Sequence, residues 1–146
     1  MKVVNVLFRL VFAVTIIMSR AFYKGNGIFK KDRILSYGVN QIGNTKGQNP
    51  GIHAECDAIL KLRPLKNKKK LQSINLLVIR LSSKNKIQSS KPCNNCIETM
   101  KILPQKKGYK IENIYYSNEE GNIIKTNLNK LDLEEKHYSK YYKKKY

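Results

Sequence analysis

The segments GIHAE at residues 51–55 and KPCNNC at residues 91–96 carry the most informative side chains of this chain. They supply one imidazole, His53, and two thiols, Cys93 and Cys96, which are groups that bind zinc. Three protein ligands leave a fourth tetrahedral position open to water, whereas a structural zinc site has four protein ligands. Glu55 would lie beside the ion without binding it and could transfer protons. Together the two segments predict a zinc site of the catalytic type.

The spacing within each segment predicts that the ion lies at the start of two helices. Residues two apart on a helix are rotated by roughly 200° about its axis. His53 and Glu55 can therefore converge only on a point off the N-terminal end of the helix. Pro92 suits the first position of a second helix, on which Cys93 and Cys96 share a face. The positive partial charge of both helix N-termini favours thiolate over thiol.

Cys56 leaves an alternative open, because it is the only other cysteine and lies three positions after His53. As a fourth ligand it would close the site to water and make the zinc purely structural. As a small buried hydrophobe it would leave the site open, which is common for a free cysteine. A lone C-x-x-C motif also occurs in redox dithiols, and its combination with His-x-Glu is what favours zinc.

Length, cysteine count and charge set the broad class. The chain has 146 residues, which suits one domain with a real core. Three cysteines form no disulfide framework, which is typical of a reducing compartment. The net charge of +19 predicts attraction to nucleic acid or other polyanions. A coding sequence rich in A and T, giving many lysines, asparagines and isoleucines, would produce the same excess without any binding function.

The most apolar stretch covers residues 1–21, and its apolar positions recur at steps of three and four residues. This periodicity predicts a core-packing helix. A signal peptide is the competing interpretation, but Arg9 interrupts the run and no small-x-small cleavage site follows. The uninterrupted apolar run from Leu10 to Met18 is shorter than the ~20 residues that a membrane span needs. We therefore expect a soluble intracellular (cytoplasmic) protein with no membrane association.

Strand and turn signals predict the elements between the first helix and the second motif. Short strands are expected at 28–30 and 33–40, joined by a turn at Lys31-Asp32, and residues 43–51 form a loop by composition. The first motif helix should end before Pro64. After the basic linker 66–70, the nearly continuous apolar run at 74–81 predicts a central strand covered on both faces.

The remainder of the chain is predicted to contain one helix, a hairpin and a tail. After a polar loop at 82–91, the second motif helix should end before Pro104. Strands at 111–117 and 122–128 are separated by a turn at 118–121 of hairpin length. The element order predicts an α/β domain with a mixed five-stranded sheet, helices on both faces and a C-terminal hairpin. We assign residues 1–130 to this domain and residues 131–146 to a basic tail rich in lysine and tyrosine.

The two motifs, with the Gly38-Val39-Asn40 strand end, resemble those of the cytidine and deoxycytidylate deaminase superfamily. The resemblance implies a three-layer α/β/α cytidine-deaminase-like fold. By the same resemblance, His53, Cys93 and Cys96 bind Zn²⁺ and Glu55 moves protons during catalysis.

Substrate contacts are also implied by the resemblance. Asn40 matches a strand-end asparagine that touches the sugar in relatives. The backbone at Ala54 and around Ser90 and Lys91 would line the pocket for the base. A homo-oligomer is implied in the same way, because relatives of this size often complete the pocket with a neighbouring subunit.

The turn at 118–121 bears on the substrate, because superfamily members that act on deoxycytidylate, tRNA or single-stranded DNA carry a helix there. A direct hairpin resembles the free-nucleoside group, which also includes some polynucleotide-editing domains. The expected function is a zinc-dependent hydrolytic deaminase that converts cytosine to uracil in a free (deoxy)cytidine nucleoside or nucleotide. The expected partner is therefore this small molecule.

Two other functions stay open at this point. The tail could bind single-stranded nucleic acid, because its aromatic rings could stack on bases while its lysines neutralise phosphates. The residues concerned are Tyr138, Lys140, Tyr141, Tyr142 and Lys143. A solvated basic tail is the alternative interpretation of the same residues. The third function is a non-catalytic scaffold stabilised by zinc.

Overall fold

The structure is a computed structural model that describes residues 12–19, 23–24, 28–29, 34–41 and 51–134. It confirms an α/β domain with a mixed sheet. The elements in chain order are β1 (Phe12–Ser19), β2 (Tyr23–Lys24), β3 (Ile28–Phe29), β4 (Ile34–Val39), α1 (Ala54–Lys61), β5 (Gln72–Leu81), β6 (Ile87–Gln88), α2 (Asn94–Lys107), β7 (Tyr109–Ser117), β8 (Ile123–Thr126) and α3 (Leu128–Leu133).

The main sheet has the strand order β4-β1-β5-β7-β8, and β6 pairs with the end of β5. The central strand β5 runs antiparallel to β1 and parallel to β7. The parallel pair is connected through α2, so α2 begins near the carboxyl end of β5. This crossover brings the second motif to the carboxyl end of β5, as expected for a functional site in an open α/β sheet.

The helix predicted for residues 1–21 is wrong over residues 12–19, which form β1. This strand lies between β4 and β5 and pairs with β5 along its whole length, from Phe12 opposite Leu81 to Ser19 opposite Ile74. Thr15 and Ile17 are fully buried. A buried strand that is hydrogen-bonded on both edges has a nearly continuous apolar sequence. Such a sequence also contains the apolar spacing of a helix. Residues 1–11 and 20–21 lie outside the described residues.

The composition of the sheet therefore differs from the prediction. The strand expected at 28–30 is represented by β3, which pairs with β2 in a separate two-stranded sheet, while β4 pairs with β1. The expected turn at Lys31-Asp32 lies outside the described residues. The three described helices all contribute to one core, and the second helical layer that was predicted is not found among the described residues.

The core lies between the sheet and the three helices. Alternate residues of β5 face it, and Ile74, Leu76 and Val78 are completely buried. Leu77 and Ile79 point to the opposite face and are partly buried, so β5 is covered completely on its core face and partly on the other. The helices contribute the following buried residues: Ala58, Ile59 and Leu62 at α1, Cys96, Ile97 and Met100 on α2, and Leu131 on α3.

The helix ends differ in how well they were predicted. Helix α1 ends at Lys61, before Pro64, as expected. Helix α2 continues past Pro104 to Lys107, so its predicted end is wrong. A proline in the last turns removes one backbone hydrogen bond, and the helix ends where Gly108 adopts a left-handed conformation with φ 95°. Among the described residues, no helix has the length and apolar character needed to cross a bilayer.

The C-terminal hairpin is present as β7 and β8. Asn118 donates from its backbone N–H to the Asn122 carbonyl at 2.9 Å, and Gly121 takes a positive φ of 84°. A short helix, α3, follows and buries Leu131, so ordered structure continues beyond residue 130. Asn127 caps α3 by accepting a hydrogen bond from the backbone N–H of Lys130.

Candidate metal centre

The structure brings His53, Cys93 and Cys96 together. The Nδ1 atom of His53 lies 3.2 Å from Cys96 Sγ and 3.4 Å from Cys93 Sγ, and the two sulfurs are 3.5 Å apart. Ligands of a tetrahedral zinc ion at normal bond lengths are separated by about 3.5–3.8 Å. One imidazole and two thiols at these distances are close enough to bind a metal ion and fit zinc.

Both helices begin at a side chain of the donor cluster. His53 is the N-cap residue of α1 and Cys93 is the N-cap residue of α2, and neither side chain caps its helix by a hydrogen bond. An N-cap side chain normally accepts a bond from the helix it precedes. Here the two side chains point to each other instead, so two helix N-termini face one point as the spacing predicted. Pro92 precedes the N-cap rather than occupying the first helical position.

The start of α1 is held by the chain on either side of residues 42–50, which are outside the described part. The backbone N–H of Gln41 donates to the Ile52 carbonyl at 2.8 Å, and the Ile52 N–H donates to the Gln41 carbonyl at 3.1 Å. This isolated antiparallel bridge places Ile52 beside the end of β4. His53 follows directly, so its position is set by a sheet edge rather than by a free loop.

Asn40 contributes to the same anchor. Its Oδ1 accepts a hydrogen bond from the backbone N–H of Ala54 at 2.9 Å. Asn40 therefore provides the capping bond that the side chain of His53 does not make. The resemblance predicted a sugar contact for Asn40 and a pocket-lining backbone at Ala54, and in the structure these two groups bind each other.

Gly38 allows α1 to lie directly against β4. A Cβ atom at this position would come within 2.2 Å of the Ala54 carbonyl oxygen and 2.3 Å of the Ala58 nitrogen. Both are backbone atoms of α1, which cannot move aside as a side chain could. The absence of a side chain at Gly38 is therefore a condition for the helix to sit where His53 reaches the cysteines.

Sequence reasoning missed the role of Asp57. Its carboxylate is buried and accepts hydrogen bonds from the backbone N–H of Val39 at 3.0 Å and from Gln41 Nε2 at 2.9 Å. It also forms an ion pair with Lys61 at 2.7 Å. These bonds tie the first turn of α1 to the end of β4. In the sequence, the signal for this role was an acidic residue among helix positions expected to face the core, because a buried acid needs hydrogen-bond partners.

Ser90 anchors the segment that leads to Cys93. Its buried hydroxyl donates to the Val78 carbonyl at 2.7 Å and bonds Ser117 Oγ at 2.8 Å, and its backbone N–H donates to the Ser117 carbonyl at 2.8 Å. Ser90 therefore connects to both β5 and β7. Lys91, the neighbouring predicted pocket residue, forms an ion pair with Glu134.

Glu55 lies on the first turn of α1 and is buried, with 5 % of its surface exposed. Burial raises the pKa of its carboxyl to about 7, because the low-dielectric surroundings disfavour the charged form. A carboxyl that titrates near neutrality can both accept and donate a proton. Its carboxylate is not part of the His53, Cys93 and Cys96 donor cluster.

The donor side chains perturb one another's pKa values. The hydrogen bond with Cys93 raises the pKa of His53 to about 8 in spite of partial burial. The hydrogen bond with Cys96 lowers the pKa of Cys93 to about 4. The pKa of Cys96 is raised, because it shares hydrogen bonds with both Cys56 and Cys93 and is buried. One thiol of the pair thus ionises readily, which favours binding of a thiophilic cation.

Cys56, the residue that could close the site, lies next to it. Its sulfur is 3.8 Å from Cys96 Sγ and its side chain is partly buried against the core. The donor atoms that lie within 4.8 Å of one another belong to His53, Cys93 and Cys96, and Cys56 is not among them. The Cys96 hydrogen bond lowers the pKa of Cys56.

The remaining predicted site residues, which are in the tail at 138–143, lie outside the described part of the chain. Comparisons with models of protein families, with curated proteins and with solved structures found no match for this chain. The residues that define the site are His53, Cys93 and Cys96. They form a His-Cys-Cys cluster with the geometry of a metal centre at the start of two helices.

Proposed function

We propose that this protein is a zinc-dependent hydrolase that converts cytosine to uracil in a free cytidine or deoxycytidine nucleoside or nucleotide. The observation that carries the proposal is the donor cluster at two helix N-termini, with Glu55 buried on the first turn of α1, two residues after His53. Structural zinc sites do not need a buried carboxylate that stays outside the donor set. A hydrolytic site does, because protons must be moved.

His53, Cys93 and Cys96 would hold the ion. Their donor set suits zinc, because an imidazole nitrogen and two thiolate sulfurs match its borderline-soft character. When bound, a zinc ion supplies a Lewis acid that lowers the pKa of a water ligand to about 7. A set of three protein ligands would leave room for that water.

Glu55 would be the proton carrier of the reaction. The oxygen of one water molecule bonds to C4 of cytosine, and Glu55 takes a proton from that water and delivers it to N3 of the base. Glu55 then passes the second proton to the amino nitrogen, the C4–N bond breaks, and ammonia leaves. Cytosine and water thus give uracil and ammonia with all atoms and protons accounted for.

The backbone at the start of α2 would stabilise the charge that develops during this reaction. The first N–H groups of a helix have no partner within the helix, and they point out along its axis. The side chain of Cys93 does not occupy them. Such preorganised donors stabilise a tetrahedral intermediate when they are aimed at the developing oxyanion.

The test of this function is ammonia release by zinc-loaded protein incubated with cytidine, deoxycytidine, their monophosphates and a cytosine-bearing oligonucleotide. We expect Glu55→Ala to retain one zinc per chain and to lose activity by about 100-fold or more. Glu98→Ala, which changes an exposed glutamate on α2, is the matched control and should retain activity. Zinc-loaded Glu55→Ala that still releases ammonia would refute the assignment.

The non-catalytic scaffold is separated from this proposal by the number of sulfur ligands. Cobalt substitution distinguishes two thiolate ligands from three by the intensity of the charge-transfer absorption. Two thiolates, unchanged in Cys56→Ser, agree with an open site at His53, Cys93 and Cys96. Three thiolates, falling to two in Cys56→Ser, would mean that the site is closed to water and that the hydrolytic proposal is wrong.

A further inference from the structure

A basic cleft lies at the carboxyl end of β5. Its volume is about 610 Å³, and it is formed by residues of the segment from Arg80 to Ser89 together with Glu119. Three cations, Arg80, Lys84 and Lys86, face one carboxylate around this space. All three cations are exposed to solvent. The remaining lining is largely made of hydroxyl and amide side chains, which suits a ligand that is charged and hydrogen-bonding rather than apolar.

The cleft is built by a hydrogen-bonded turn. The Ser82 N–H donates to the Lys86 carbonyl at 2.8 Å, and the Asn85 N–H donates to the Ser82 carbonyl at 2.9 Å. The Lys86 N–H donates to Ser82 Oγ at 3.2 Å. Strand β6 then pairs with β5, with Gln88 opposite Arg80. The two lysines are therefore carried on a structured hairpin, and a bound anion would order little additional backbone.

With three cations and one carboxylate in its lining, this cleft keeps a net positive charge within the described part of the chain. The ion pairs there involve Lys61, Lys91 and Lys101, and none of them reaches Arg80, Lys84 or Lys86. In a second cleft of about 410 Å³, near α3, Lys101 is paired with Asp132 and Glu112 lies in the lining together with Lys110. Unpaired cations around a concave surface concentrate anions there.

The cleft and the donor cluster both lie at the end of the sheet where β5 terminates. The chain passes from Ser89, which lines the cleft, to Cys93 at the start of α2. Four residues span at most about 14 Å even when fully extended. Ser90 fixes this connection to β5 and β7 through its buried hydrogen bonds. The wall of the cleft at Ser89 is thus no more than about 14 Å from Cys93, so a group bound there could belong to a molecule whose base lies at the donor cluster.

We propose that Arg80, Lys84 and Lys86 bind phosphate that is covalently attached to the cytosine nucleoside at the metal centre. This inference rests on the proposed function for the identity of the base, whereas the phosphate chemistry follows from the cleft itself. The phosphate has two sources, the substrate nucleotide's own phosphate or a neighbouring phosphodiester of a single strand. Arginine and lysine suit both, through charge and through the paired donors of the guanidinium group.

The test measures binding rather than turnover. Fluorescence anisotropy of the full-length, zinc-loaded protein with a labelled cytosine-bearing single strand is recorded over a salt series, and cytidine and cytidine monophosphate are used as competitors. The variant is Arg80→Ala with Lys84→Ala and Lys86→Ala. The matched control is Lys66→Ala with Lys69→Ala and Lys70→Ala, which removes the same charge from the exposed linker before β5.

If the phosphate belongs to a strand, the cleft variant should bind the oligonucleotide at least about tenfold more weakly, and the salt slope should fall by about 2. If it belongs to the nucleotide, cytidine monophosphate should compete better than cytidine, and the cleft variant should remove that difference. In either case the control should change affinity much less. Equal losses in both triple variants, or no loss in the cleft variant, would overturn the proposal.

Folding of the variants is checked by zinc content and circular dichroism. Lys84→Ala with Lys86→Ala, which alters only the exposed turn, is a second variant if the triple change unfolds the hairpin. Because no turnover is measured, a protein without deaminase activity still gives a clear answer about the cleft. Conversely, loss of phosphate binding leaves the ammonia assay with cytidine interpretable.

Discussion

The two helix starts that carry the His-Cys-Cys cluster are held in place by different chemistry. The start of α1 is tied to β4 by the buried carboxylate of Asp57 and by the close contact at Gly38. The start of α2 is tied to β5 and β7 by the neutral hydroxyl bonds of Ser90 and Ser117. Bonds to a charged group are stronger than bonds between neutral groups, so we infer that α1 has the firmer anchor.

The side chains of His53 and Cys93 are kept available for a metal ion in a similar way. In both helices the N-cap residue makes no capping bond through its side chain. At α1 the missing bond is supplied by Asn40, which lies far away in sequence. At α2 the anchoring residue precedes the donor by only three positions. Each start is thus positioned by neighbours, which leaves the imidazole of His53 and the thiol of Cys93 free to bind metal.

The strongest way to break the α1 anchor is Gly38→Ala. The added methyl group would meet backbone atoms of α1 at 2.2 and 2.3 Å, so the helix must move away from β4. We expect a loss of about 3 kcal/mol or more in the free energy of unfolding. Urea denaturation measures it. Ile34→Ala, at an exposed position of the same strand, should cost less than about 1 kcal/mol, and equal effects of the two changes would contradict the contact at Gly38.

Removal of a donor from α2 tests whether the two helix starts share one ion. Cys96→Ser takes one sulfur out of the donor cluster, and we expect zinc affinity to fall by more than about 100-fold. Cys56→Ser changes a neighbouring sulfur outside that cluster and should retain one zinc per chain. Elemental analysis after dialysis against a weak chelator distinguishes the two variants. Equal loss of zinc in both would make Cys56 a ligand.

Asp57→Asn tests the charged part of the α1 anchor. An amide cannot accept from both Val39 and Gln41, because one of its two groups is a donor. We expect a loss of about 2 kcal/mol in stability and a fall of about tenfold in zinc affinity, because His53 is displaced. Asp132→Asn removes an exposed partner of Lys101 and should cost less than about 1 kcal/mol. A stable Asp57→Asn variant with unchanged zinc affinity would show that this network does not position α1.

The smallest effect is expected at the neutral anchor of α2. Ser90→Ala removes bonds to Val78 and Ser117 and should cost about 1–2 kcal/mol, while Ser83→Ala on the exposed turn should be close to neutral. Because Ser90 and Ser117 bond each other, the double change Ser90→Ala with Ser117→Ala should cost less than the sum of the single changes. Additive effects, measured by chemical denaturation, would argue against a shared network. A larger loss than in Asp57→Asn would reverse the ranking of the two anchors.

Much of the site was predictable because its signals are local. The H-x-E and P-C-x-x-C spacings place donors at helix starts, and the structure brings the three predicted donors together. The hairpin after Ser117 was also predictable from its turn residues, and the strand at 74–81 from its apolar run. These features depend on residues next to one another in the chain. The end of α2 was less predictable, because Gly108 rather than Pro104 terminates the helix.

The partners of several residues could not be predicted. Asn40 caps α1, Asp57 binds the end of β4, and Ser90 joins two strands, and each of these contacts crosses a large separation in sequence. The basic cleft has the same origin, because its cations face one space only once β6 folds back on β5. Charge and hydrogen-bonding capacity are properties of a residue, whereas the partner of that residue is a property of the fold.

The sequence by itself determined the donor residues, their placement at two helix starts and the hairpin, because spacing and turn chemistry act over a few residues. Only the tertiary structure decided that residues 12–19 form a strand, since an apolar run satisfies a helix and a buried strand equally well. Pairing with β4 on one edge and β5 on the other settles that choice, because the strand's backbone hydrogen bonds come from chain segments that are distant in sequence.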